Sequence, residues 1–160
     1  MCQLFAILVV VVSVTWMSPG TSLQSGAAGK SSAIHACSIL TRDLVAKVTS
    51  PANKYVLDAT PEEEPAGQGS SCSYADLMVQ IDPFARSEEL RKSPGKGWQP
   101  VSGVGDAAYF RDNSGRYAEI MAWSGAHHFT IQVGVPTGDT AEKIKPNLIQ
   151  LANAIITKLK

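Results

Sequence analysis

"GDAAYFRDNSGRYAEIMAWSGAHHFTIQVGV", residues 105–135, is the stretch on which the fold turns. Turn-forming residues at 112–115 (Asp-Asn-Ser-Gly) and at 124–125 (Ser-Gly) divide it into three segments of strand-like sequence, which predicts a three-stranded antiparallel meander. A two-residue loop at Ser124 and Gly125 sets Ile120 opposite Phe129 and Ala118 opposite Ile131. A three-residue loop with Gly115 in the left-handed conformation sets Phe110 beside Ala118 and Ala108 beside Ile120. Both turns then place Ala108, Phe110, Ala118, Ile120, Phe129, Ile131 and Val133 on one face. Slipping the second hairpin by one residue would oppose Glu119 to Ile131 and disfavours itself.

Further along, "GDTAEKIKPNLIQLANAIITKLK" repeats Ile144, Leu148, Leu151, Ile155 and Leu159 at helical intervals, with Ala152 and Ile156 on the same side. Asp139 and Glu142 have capping-box spacing, and Pro146 predicts a kink or a start near Lys145. This helix is the natural cover for the apolar face of the sheet, so the fold class is α+β: a twisted antiparallel sheet with a carboxy-terminal and a short amino-terminal helix packed on it. The amino-terminal helix is read in "CSILTRDLVAKVTS", capped by Thr41, stapled by Leu40 against Val45, extended by Val48 and ended by Pro51. "KYVLDA" (54–59) reads as a short strand and "TPEEEPAGQGSS" as a loop in which Glu62, Glu63 and Glu64 form a solvated turn. "SCSYADLMVQID" reads as a strand with Leu77, Val79 and Ile81 inward, and "FARSEELRKS" (84–93) as a short polar helix before a loop.

The opening residues carry an apolar block from about Leu4 to Met17 followed by small and polar residues. The block is shorter than the ~20 residues of a bilayer span, which is the pattern of a signal peptide over 1–28 ahead of one domain at 29–160. No Lys or Arg precedes the block, and Cys2 lies before it, where it cannot serve as a lipoprotein acylation site. Export followed by cleavage leaves Cys37 and Cys72, which are expected to pair. The chain-entropy model gives a loop of about 35 residues roughly 4 kcal/mol of stabilisation. With 14 basic and 14 acidic residues there is no bulk field to draw nucleic acid, and no stable membrane insertion of the mature chain is expected.

In the predicted register His127 lies opposite Ala122 on the core side and His128 opposite Met121 on the other, because neighbouring strand residues point apart. The doublet is therefore no two-histidine metal site. His35 is too remote in sequence to complete one, and as a base for a reactive Cys37 it meets a sulfur already expected to be oxidised. The face opposite the apolar one collects Tyr109, Arg111, Tyr117, Glu119, Met121, Trp123, His128, Thr130 and Gln132. Of these Tyr109, Arg111, Tyr117, Glu119, Trp123 and His128 are the candidate binding residues, against the alternative that helices or loops cover the face. "SGVGDAAYF" lacks the lysine and helix of a phosphate loop and reads as a tight turn into a strand. "AWSGA" is no nucleophile elbow, since the first glycine of that motif is missing. No cofactor motif is present.

The chain from about 36 to 160, through "ACSILTRDLVAKV", "SCSYADLMVQI", "VSGVGDAAYF", "HFTIQV" and "LANAIITKL", resembles small extracytoplasmic bacterial proteins of unknown function, many of them actinobacterial lipoproteins. The resemblance implies a fold broadly similar to extracellular sensor domains of mycobacterial kinases and to the PsbP/Mog1-like fold, and brings no catalytic residues. Here the acylation cysteine of the lipoproteins is absent. The function expected is a secreted or periplasmic, disulfide-stabilised, non-catalytic binding or accessory module of the cell envelope, its partner a small ligand or an envelope protein. The alternatives are an envelope hydrolase using His128 with Glu119, one diagonal apart on the outer face, and a structural subunit of an envelope complex.

Overall fold

A computed structural model describes residues 34–48, 54–66, 69–83 and 88–160. The chain divides into two units, Met1–Ser31 and Ser32–Lys160, and every described residue belongs to the second. The expected leader at 1–28, Cys2 and the helix stop at Pro51 lie outside the described residues.

The elements run in order α1 (Ala36–Ile39), α2 (Arg42–Val48), α3 (Lys54–Asp58), β1 (Glu62–Ala66), β2 (Gly69–Tyr74), β3 (Leu77–Asp82), α4 (Glu88–Lys92), β4 (Gln99–Pro100), β5 (Ala107–Asn113), β6 (Tyr117–Ser124), β7 (His127–Gly134) and α5 (Ala141–Leu159). All strands form one antiparallel sheet in the order β1-β2-β3-β7-β6-β5-β4. Two meanders, β1-β2-β3 and β4-β5-β6-β7, meet along the β3·β7 seam. The chain travels from one meander to the far edge of the other through α4. The fold is α+β, as the periodicities predict.

One side of the sheet is apolar and closed. Cys72, Tyr74, Leu77, Val79, Ile81, Ala108, Phe110, Ala118, Ile120, Ala122, Phe129, Ile131 and Val133 are buried there, and Leu148, Leu151, Ala152, Ile155 and Ile156 of α5 are buried with them in the same core. The predicted faces of the meander are those observed, but both hairpins sit two residues away from the predicted register. Ile120 opposes Ile131 and Phe110 opposes Ile120, so His127 faces Ser124 and His128 faces Trp123. The tight loop is Gly125-Ala126 and the longer one 114–116, with Ser114 and Gly115 both left-handed. A displacement of two preserves side-chain parity, so apolar burial alone does not distinguish the two registers.

Several elements differ from the sequence reading. Residues 69–82 form a hairpin, β2–β3, rather than one strand; Ala75 takes the left-handed conformation at its turn, a position normally signalled by Gly or Asn. Lys54–Asp58 is a helix, burying Val56, where six residues are too few for periodicity to separate helix from strand. Glu62, Glu63 and Glu64 lie in edge strand β1, all exposed, because pairing with β2 supplies the backbone partners that a loop would take from water. The amino-terminal helix is split into α1 and α2 at Leu40 and Thr41, where the Thr41 carbonyl accepts from Leu44 and Val45 and begins the second helix. Leu40 and Val45 are both buried, as a staple requires. Helix α5 is capped by Thr140 rather than Asp139: its Oγ1 accepts from the Lys143 N–H at 3.4 Å, and Asp139 is held in the preceding turn. The helix runs through Pro146 from Ala141, so there is no late start; the proline forgoes one carbonyl bond in its second turn.

Cys37 and Cys72 form a disulfide that fastens α1 to β2. Beside it the buried Ser70 hydroxyl accepts from the Ala36 N–H and donates to the Ile34 carbonyl, both at 2.7 Å. A covalent and a polar link thus hold the same four-residue helix, which is too short to be stable on its own.

Candidate functional site

The side of the sheet away from α5 is ordered in rows by the strand registers. Asp82, His128, Trp123 and Ala107 form the first row; Gln80, Thr130, Met121 and Tyr109 the second; Met78, Gln132, Glu119 and Arg111 the third; Gly134, Tyr117 and Asn113 the last. All six candidate residues lie on this face, yet in two different settings.

The first row is closed. Trp123 is fully buried and His128 is 2% exposed. The imidazole Nδ1 lies 3.1 Å from Asp82 Oδ2, and the indole packs 4.7 Å from the imidazole centroid and edge-on to Tyr109 at 6.1 Å. The Trp123 indole N–H has no hydrogen-bond partner among the described residues. In the second row the Tyr109 hydroxyl donates to the Arg91 carbonyl at 2.7 Å, and Trp98 lies under the Arg111 guanidinium at 4.5 Å. Arg91 and Trp98, both between β3 and β4 in sequence, therefore lie on the outer side of the sheet and engage Tyr109 and Arg111.

The entry into β5 explains the second glycine of "SGVGDAAYF". Gly105 is left-handed, and a side chain there would place Cβ 2.2 Å from the Trp123 carbonyl oxygen, while the Asp106 N–H donates to that oxygen at 2.8 Å. Asp106 Oδ2 also accepts from the Gly125 N–H at 2.8 Å, tying the strand entry to the β6–β7 turn. The motif is a tight turn, as its sequence suggests.

The third row holds the principal charge pair. Glu119 is buried; one of its oxygens accepts from Arg111 Nε at 2.9 Å and from Arg111 Nη2, the other from Asn113 Nδ2 at 3.2 Å. A carboxylate removed from water needs such partners, and Arg supplies them in a fixed fork. Arg111 is thus committed to neutralising Glu119 and stacking on Trp98. Glu119 opposes Gln132, not Thr130, so His128 lies four residues further along β7, roughly 13 Å at the rise of a strand. The pair proposed for hydrolysis is not brought together, and each member is bonded elsewhere.

The last row is open. Tyr117, at 37% exposure, is the exposed large hydrophobic side chain among the described residues. It borders a surface hollow of about 470 Å³ whose lining is Asn113, Ser114, Arg116 and Tyr117. Asn113, the last residue of β5, and Ser114 and Arg116, in the turn that follows, were not among the candidates, because a reading of strand faces passes over a turn; the Asp-Asn-Ser-Gly run at 112–115 is the sequence signal that marks the place. His127 is half-buried at the other end of β7, and His35 is exposed, with Nδ1 3.4 Å from Glu63 Oε1. Among the described residues no three His, Cys, Asp or Glu side chains are grouped to hold a metal ion, and no helix is long and apolar enough to cross a membrane. No family model matches the chain, and no curated protein or solved structure matches it.

Proposed function

We propose that the protein is an exported, non-catalytic binding or accessory module of the bacterial cell envelope, secreted or periplasmic, with a small ligand or an envelope protein as its partner. The observation that carries the reading is the Cys37–Cys72 disulfide, since such links persist in oxidising compartments. The leader pattern at 1–28 and the resemblance to small extracytoplasmic proteins support the same placement. Recognition falls to the open last row of the outer face, where Tyr117 is exposed, and not to the buried Trp123 and His128.

Fractionation of expressing cells with thiol alkylation tests this reading. The mature chain is expected outside the cytoplasm with Cys37 and Cys72 resistant to alkylation until reduced. A reduced, cytoplasmic chain would overturn it. The separation of His128 from Glu119 removes the geometric basis of the hydrolase alternative, and a panel of esterase, phosphatase and peptidase substrates is expected to show no turnover that His128→Ala abolishes.

A further inference from the structure

We infer that the hollow at the β5–β6 turn is a binding site for a small anionic sugar, a hydroxylated ring bearing a carboxylate or phosphate. This deepens the binding-module reading and rests on it. The hollow, about 470 Å³, falls within the roughly 300–1,000 Å³ of small-molecule sites. Every lining side chain is a hydrogen-bonding group: an amide, a hydroxyl, a guanidinium and a phenol. The lining surface is more polar than apolar, so a ring of hydroxyls finds donors and acceptors, with the exposed Tyr117 ring to stack against.

The charge of the ligand follows from the local ion pairs. Glu119 is neutralised by Arg111, so neither supplies net charge to the opening. The Asp112 carboxylate accepts from the Gly115 N–H at 2.7 Å and is not among the side chains that line the hollow. Arg116 is the cation of the lining, exposed, with its backbone fixed at both ends: its N–H donates to the Asn113 carbonyl and its carbonyl accepts from Val135. A guanidinium on so rigid a turn suits a planar carboxylate or a phosphate. Ser114, in a left-handed position at φ 58°, places its hydroxyl on the same lining.

The test is titration of the labelled protein with glucuronate, glucose 6-phosphate, neutral glucose and inorganic phosphate, following the amide signals of 113–117 by NMR. Saturable shifts with the two anionic sugars are expected, with about tenfold weaker binding of glucose and of phosphate alone. Arg116→Gln is expected to weaken the anionic sugars about tenfold. Ser114→Gly is expected to weaken them while keeping or raising the melting temperature, which separates loss of the site from loss of the fold. No saturable shift, equal binding of glucose, equal binding of phosphate alone, or undiminished affinity in Arg116→Gln would each overturn the inference. Failure here leaves the fractionation result intact, so the two readings fall separately.

Discussion

At the scale of single residues, the outer face is governed by how it handles buried polarity. Arg111→Met leaves the Glu119 carboxylate buried without its cation, and destabilisation of about 2–3 kcal/mol is expected, the partial exposure of Arg111 reducing the full penalty of a broken buried pair. The double variant with Glu119→Leu should recover most of that loss in urea unfolding, which a simple packing defect would not allow. Ser70→Ala strands the Ala36 N–H and should lower stability by about 1–2 kcal/mol by the same measurement. Both sites show what was legible: the sequence pattern places Arg111 and Glu119 on one face, but the pairing that turns Arg111 inward depends on a register that parity alone does not supply. Tyr117 was visible as a surface aromatic, whereas the burial of Trp123 and His128, packed on each other with Tyr109 and Asp82 beside them, is a tertiary outcome that strand periodicity does not encode.

At the scale of elements, turns decided which expectations held. The β5–β6 and β6–β7 hairpins carry Gly in their loops and were readable; β2–β3 turns at Ala75-Asp76 and was not. Ala75→Gly is therefore expected to raise stability by about 0.5–1 kcal/mol, the relief of a left-handed alanine less the added freedom of the unfolded chain, measured as an increase in urea midpoint with unchanged slope. A fall in midpoint would show that the turn is not strained. Helix α5 was legible because its apolar repeats span five turns, whereas α3 and β1 are too short for any pattern and take their conformations from what they pack against. The edge strands are guarded in kind: β1 bears three exposed glutamates and Pro65, and β4 is two residues long and ends in Pro100.

At the scale of the whole molecule, helices α1, α2, α3 and α5 pack into the core on one side of the sheet with the disulfide, and α4 meets Tyr109 on the other. Replacing Cys37 and Cys72 by Ser is expected to lower stability by roughly 4 kcal/mol in the loop-entropy account, and reductant should reproduce the loss in the parent chain but not in the variant. The layered plan was legible from binary patterning; the meeting of two meanders was not, because strand order is set by the crossing and not by any one strand. That crossing has a kinetic consequence. Strand β3 waits for a partner 46 residues downstream at Asp82 and His128, so during synthesis its apolar run stands with one ladder of amides unclaimed. Joining the two half-sheets is therefore expected to be the late, slow step of folding, seen in refolding as Trp123 burial that lags behind formation of the β2–β3 hairpin.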